Sequence, residues 1–270
     1  MIVKVKDIIK FLNDFTNPKL AFKWDNVGFQ LGDAETEVQK ILLTLDVTEN
    51  AINKAIKEKV NMIISHHPFI FKPIKKITNP LYLKLIKNNI SVYCAHTNLD
   101  VIQNGVNDAL AQKLDLQNPK IILQETGLTS EITKYFQRDD ENLGLGLIAE
   151  LRNPQKLSEF AKFVKTKLEC PFIKLWLGNK NENTLIKKIA ICGGSGSNLI
   201  PKIIGKADVF VSSDFTYHTI LGSPIPLIDA GHFYTENPVL TNLAQILENF
   251  NLEIIMLKPT EHEIKKEQII

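Results

Sequence analysis

Three short stretches place metal-ligating side chains directly after apolar runs. NMIISHHPFI carries the adjacent His66 and His67, VYCAHTNLD carries His96 and Asp100, and DAGHFYTE carries His232 and Glu236. Of the six histidines, only His218 and His262 lie outside these stretches. Neutral imidazole offers one nitrogen and carboxylates offer oxygens, so three or more such groups that converge form a divalent-metal site. Neighbours in an extended strand point to opposite faces. At the strand end, however, Pro68 restrains His67 to an extended or turn conformation, so both rings can reach one cleft, each serving a different ion. Glu236 precedes Asn237-Pro238, which reads as a helix start with proline at its first position. A carboxylate there gains from the helix dipole and has two oxygens with which to bridge two cations. Asp100 completes a set of three histidines and two carboxylates around two divalent ions. With no cysteine in the set, Zn, Mn, Fe or Co fits. Ions that share ligands keep positions open for water, as a catalytic site requires. Taken singly, His96 fits a hydrogen-bonded structural residue as well as a ligand.

Other candidates are less specific. GGSGS at 193–197 fits either a loop presenting N–H groups to a phosphate or a tight strand-to-helix turn; neither GxxxxGK[ST] nor GxGxxG is present. Asp46, Ser213 and Asp214 end strands and fit either cleft-lining residues or helix caps. Lys72, Lys75 and Lys76, just after the paired histidines, fit a solvated loop or a contact for an anionic substrate. Cys94 and Cys192, on apolar strands, read as core residues with no charged neighbour to make them nucleophiles. A GxSxG elbow is absent.

The elements that must position these residues alternate between helical and strand-like patterns. Val5–Phe15 is helical, followed by strands at Val27–Leu31 and Lys40–Leu45. A helix at Glu49–Val60, a strand at Asn61–Ser65, a helix at Leu81–Asn88 and a strand at Ser91–Ala95 come next, then a helix from Gly105 to Leu114. The second half repeats this order, with strands at Leu145–Leu151, Phe172–Leu177, Lys188–Cys192, Asp208–Ser212 and Ile225–Ile228. Its helices are Gln155–Leu168, Asn198–Gly205, Tyr217–Leu221 and Pro238–Phe250, and Glu253–Leu257 is a closing strand. KILLTLDVT compares with KIAICGGSGS, NMIISHHPF with DVFVSSDFT, and Leu31-Gly32 with Leu177-Gly178. The expectation is an α/β protein with internal duplication, residues 1–124 and 125–270 forming two similar halves. Ligands in such sheets bind beyond the carboxyl ends of the strands, where the polar clusters lie. Surface loops are expected at Asn179–Thr184 and Gln137–Asn142.

Composition narrows the class. The 270 residues suffice for a substantial core, and 44% hydrophobic with 23% charged residues is a soluble composition. A formal net charge of +2 lacks the basic stripe of a nucleic-acid binder. Three cysteines without CxxC spacing fit a reduced, cytoplasmic protein. The N-terminus lacks a signal-peptide pattern, and no apolar run is long enough to suggest a membrane span.

KWDNVGFQLG, ISHHPFIF, AHTNLDV with GVNDALA, ICGGSGS, DVFVSSDFTYH and DAGHFYTE, in this order, resemble the GTP cyclohydrolase 1 type 2 homologue, or Nif-three-like, family over essentially the whole chain. The resemblance implies two intertwined α/β halves related by a pseudo-dyad, with layered helices around mixed β-sheets, in the compact form without an inserted domain. It implies a toroidal homohexamer and two metal ions, one held by His67 and Asp100, the other by His66 and His232, with Glu236 bridging. His96 matches a histidine close to that site, with an expected proton-transfer role. The implied reaction is metal-dependent hydrolytic opening of the guanine imidazole ring of GTP, giving formate and dihydroneopterin triphosphate. A dinuclear phosphate-ester hydrolase would use the same five ligands, and a metal-handling or regulatory protein without turnover is the alternative from another class.

Overall fold

The computed structural model describes residues 2–124 and 143–257; the loop expected over 137–142 lies outside the described residues. The chain divides into two compact units, Met1–Leu99 with Leu243–Ile270, and Asp100–Asn242. Among the described residues no helix is long and apolar enough to cross a membrane.

In the first unit, helix α1 (Val5–Phe15) precedes β1 (Gly28–Leu31) and β2 (Lys40–Thr44), and α2 (Glu49–Lys57) leads into β3 (Met62–Ser65). Helix α3 (Pro80–Lys87) leads into β4 (Ser91–Cys94), and β11 (Glu253–Met256) joins from the far end of the chain. The sheet order is β1-β4-β3-β2-β11. All its pairs are parallel except β1 with β4. The central strands are buried on both faces, which is why they read as unbroken apolar runs. Leu42, Ile63 and Val92 pack with Ile52 and Ala55 of α2 and Leu85 of α3. Tyr93, whose hydroxyl donates to Asn13 of α1 at 2.8 Å, faces the other way.

The second unit holds helices α4 (Thr97–Asp100, begun in the first unit) and α5 (Val106–Lys113), and strands β5 (Gln117–Gln124), β6 (Gly144–Lys156), β7 (Lys174–Trp176), β8 (Leu185–Ser195), β9 (Val209–Ser213) and β10 (Leu227–Asp229). Their order is β5-β6-β8-β9-β10-β7. Strands β8, β9 and β10 are parallel neighbours, and β7 lies antiparallel on β10. The run β7-β10-β9-β8 therefore repeats the topology β1-β4-β3-β2. Leu147, Ile189, Val211 and Ile228 pack beneath α5 and the helix Leu157–Lys167.

The strands are shared out differently from a cut after residue 124: β5 belongs to the second sheet and β11 to the first. Strand β5 is absent from the pattern-based expectation because it carries Pro119, which interrupts a strand signal and is tolerated at a sheet edge. The helix expected from Gln155 starts at Leu157, since Gln155 and Lys156 still pair with Ile186 and Leu185 of β8.

The repeated Leu-Gly has a steric origin in both sheets. Gly32, with φ +121°, leaves the antiparallel edge strand β1 against the start of β4, and a Cβ there would stand 2.7 Å from Ser91 Cα. Gly178, with φ +54°, leaves β7 in the corresponding place, and a Cβ would stand 2.7 Å from the Pro224 carbonyl oxygen. Both positions combine a backbone conformation that favours glycine with a close approach to main chain. Gly32→Ala is expected to cost roughly 2 kcal/mol or more, seen as a lower urea midpoint. Gly222→Ala, whose Cβ meets nothing within 4 Å, is expected to stay within about 0.5 kcal/mol. Equal losses for the two variants would contradict this account.

Candidate functional site

In the first unit the site grows from the ends of β2, β3 and β4. Beyond β3 the pairing with β2 continues: His66 N–H donates to the Thr44 carbonyl at 3.1 Å and His67 N–H to that of Leu45 at 2.8 Å. Ser65 Oγ then donates to the His67 carbonyl at 2.8 Å and pins the turn. His66 is fully buried. Its ring and that of His67 nevertheless approach to 5.0 Å, and both lie within 5.5 Å of His96. Each of the three rings offers a ligating atom within 4.8 Å of the others.

Each ring is held from behind through Nδ1. That of His66 meets the Ala95 carbonyl oxygen at 2.8 Å, that of His67 meets Asp46 Oδ1 at 2.8 Å, and that of His96 meets Asp25 Oδ1 at 2.9 Å. Carbonyl and carboxylate oxygens only accept, so the proton is assigned to Nδ1 and the lone pair to Nε2. An acceptor behind one nitrogen while the other points into a cluster is the arrangement that fixes histidines as metal ligands.

Asp25 is itself anchored. Its second oxygen accepts from Thr97 N–H at 3.1 Å and Thr97 Oγ1 at 2.5 Å. Burial favours its neutral acid, but the hydrogen bonds from His96 and Thr97 outweigh burial and bring the carboxyl down to about 2. Asp25 was not singled out from the sequence. It lies in the quoted KWDN stretch, but no periodicity links a loop aspartate to a histidine 71 positions on.

In the second unit, β10 ends at Asp229, which accepts the Gly231 N–H at 3.0 Å, and the one-turn helix His232–Glu236 follows. Positions i and i+4 share a helix face, so His232 Nε2 and Glu236 Oε1 stand 3.0 Å apart. Glu236 thus ends a short helix, and the next helix starts at Val239 rather than Pro238. The expected dipole position at a helix N-terminus is replaced by this i,i+4 pairing. His232 Nδ1 meets Asp214 Oδ2 at 2.5 Å, the same support seen three times in the first unit. Burial opposes charge on the His232 ring, yet Glu236 and Asp214 outweigh it and raise the imidazole to about 9.

The strand-end aspartates therefore hold imidazoles, and the capping role falls to threonines. Thr48 Oγ1 accepts from Ala51 N–H at the start of α2, and Thr216 Oγ1 from Thr219 N–H at the start of the helix Tyr217–Gly222. The GGSGS turn serves the same unit. Gly193 N–H donates to Asn107 Oδ1 at 3.1 Å and Gly194 N–H to Thr235 Oγ1 at 3.0 Å, so these two amides are directed into the fold. A Cβ on Gly194 would lie 2.2 Å from Glu236 Oε1, so the glycine makes room for that carboxylate. Asp100, half-buried at the end of α4, accepts from Asn107 Nδ2 through its backbone carbonyl at 2.9 Å. Burial, together with the charges of Asp100 and Glu236, pushes the Cys192 thiol far up, which removes it as a nucleophile. Lys72, Lys75 and Lys76 are exposed.

The donor chemistry in each unit suits a divalent cation, with imidazoles held for ligation through Nε2 in one and an imidazole–carboxylate pair in the other. The DUF34/NIF3 (NGG1p interacting factor 3) family model matches residues 3–262, and the chain belongs to this family. A relative from Clostridium acetobutylicum, named GTP cyclohydrolase 1 type 2 homolog, is 34% identical, the match covering 92% of this chain and 91% of that protein. The crystal structure of a Staphylococcus aureus hypothetical protein, 30% identical, superposes with a TM-score of 0.86 over 100% of both chains. Reduced HcgD from Methanocaldococcus jannaschii, 32% identical, gives 0.75 over 96% of this chain and 99% of that one.

Asp25→Asn tests the support of His96. A carboxyl depressed in the folded state stabilises fully above its unfolded value of 3.8, and that contribution is lost as pH falls toward about 2. The parent should exceed the variant by roughly 1–2 kcal/mol at pH 6. The gap should narrow steadily below pH ~4, toward the folded value. Parallel stability curves between pH 3 and 6 would contradict the assignment.

Proposed function

We propose that the chain is a metal-dependent hydrolase whose two ligand sets together hold two divalent ions. In the ligand sets that the family resemblance implies, His67 and Asp100 would hold one ion, His66 and His232 the other, and Glu236 would bridge. The observation that carries this reading is the common support of the imidazoles, each Nδ1 meeting an oxygen acceptor 2.5–2.9 Å away. Rings fixed in this way fit ligation, or for His96 directed proton transfer, better than surface solvation. Nitrogen and oxygen donors without thiolate fit Zn, Mn, Fe or Co.

Bound metal would supply Lewis acidity and a water acidic enough to act near neutral pH. The chain's own residues do the rest. His96, with Nδ1 against Asp25, presents Nε2 as the proton carrier, and the buried carboxylate stabilises the ring once it is charged. Asp46 and Asp214 hold His67 and His232 in their tautomers. The reaction is hydrolytic opening of the guanine imidazole ring of GTP, in which C8 leaves as formate and the remainder becomes dihydroneopterin triphosphate. The family relationship supports this choice. Lys72, Lys75 and Lys76 receive the triphosphate in this reading, and the assembly is the homohexamer that the family resemblance implies.

The test combines metal analysis with turnover. Metal-loaded protein should contain two ions per chain and convert GTP to a product that fluoresces as a pterin after oxidation. His67→Ala and Glu236→Ala should each lose at least one ion and about a hundredfold or more of activity. His96→Ala should keep its metal and lose roughly a hundredfold. Metal-loaded protein with no pterin would exclude the cyclohydrolase reading and leave a metal-handling role. Unchanged metal content in both ligand variants would exclude the dinuclear assignment itself.

A further inference from the structure

Beside His96 the first unit leaves two large aromatic side chains open to solvent. Trp24 is 60% exposed and Phe71 47%. They are not scattered: the Trp24 and Phe71 ring centroids lie 6.1 Å apart, and Trp24 stands 6.0 Å from His96 at 74° to its plane. Phe22 backs the indole at 5.8 Å. Exposed aromatic surface gathered at one place marks a binding surface more often than isolated exposed residues do.

The indole is exposed, but its attachment is fixed. Phe22 N–H donates to Thr97 Oγ1 at 3.0 Å, and Asp25 is bound to both His96 and Thr97. Asn26 Nδ2 donates to the Ile70 carbonyl, next to Phe71. Gln30 ties the same two segments together, accepting the Ile70 N–H at 2.9 Å and donating to the Asn26 carbonyl at 2.6 Å. One segment therefore supplies both the carboxylate that fixes His96 and the open indole beside that ring. The neighbours Lys23 and Lys72, both exposed, flank the two aromatic residues in sequence.

We propose that Trp24 and Phe71 form a stacking shelf for a planar heteroaromatic ring bearing an anionic substituent, held next to His96. This rests on the reading of His96 as part of the reaction centre and adds the residues that would orient the substrate. A phosphate has no face to stack on an indole, whereas any flat heterocycle has one. Because the shelf is held in place before a ligand arrives, binding orders little of the protein.

The chain has two tryptophans, Trp24 and Trp176, so Trp176→Phe isolates the emission of Trp24. Guanosine and GTP should quench it saturably, with or without metal, and inorganic tripolyphosphate should not. Trp24→Ala should weaken GTP binding roughly ten- to hundredfold in calorimetry with metal content unchanged, while Trp24→Phe keeps most of the affinity. Phe71→Ala, on an exposed loop, gives an independent variant and should weaken binding in the same direction. Equal quenching by tripolyphosphate, or parental GTP affinity in both alanine variants, would overturn the shelf. So would a blue-shifted Trp24 emission that no ligand moves, which would mean that another copy of the chain covers it. Saturable quenching without any turnover would instead count against the cyclohydrolase reading and leave the shelf standing.

Discussion

The hydrogen bond from histidine Nδ1 to an oxygen acceptor is the interaction on which the site depends. An imidazole free to rotate and tautomerise offers either nitrogen in many directions. One held through Nδ1 offers Nε2 in a single direction. Four rings share this device, with Asp46, Asp25 and Asp214 and the Ala95 carbonyl as acceptors. The fully buried His66 is held by a neutral carbonyl. The half-exposed His232 stands between two carboxylates, and its ring is correspondingly basic.

The two sheets account for where these acceptors stand. In each, three parallel strands end together, and the residues just beyond them provide both the imidazoles and most of their supports. Asp46 follows β2 as His67 follows β3, and Asp214 follows β9 as His232 follows β10. An antiparallel edge strand closes each triplet, leaving on a glycine where a side chain would meet the neighbouring main chain. Gly194 performs a related service for Glu236 by leaving out a Cβ that would overlap its carboxylate.

Much of this was legible in the sequence. The apolar runs of the central strands, the polar clusters after them and the duplicated Leu-Gly stem from local patterns of burial and turn chemistry. His66, His67 and His96 were legible as ligand types at strand ends, and their closeness follows from β3 and β4 being parallel neighbours. Other features depend on contacts distant along the chain. Asp25 reaches His96 from a loop before β1, and the proline-bearing β5 reads as irregular until β6 supports it. Strand β11 returns to β2 although its sequence says only that it is a strand. The pairing of His232 with Glu236 was visible as a spacing of four, but a proline two residues after Glu236 pointed to a later helix start than the one-turn helix the chain forms.

Locating the imidazole protons tests the central claim most directly. Neutron diffraction from deuterated, metal-free crystals near pH 7 would place them on His66, His67, His96 and His232 individually. The account predicts deuterium on Nδ1 of all four rings, and on Nε2 as well in His232. Deuterium on Nε2 with bare Nδ1 in any of the four would contradict it, because Nδ1 would then have no proton to donate to its oxygen acceptor.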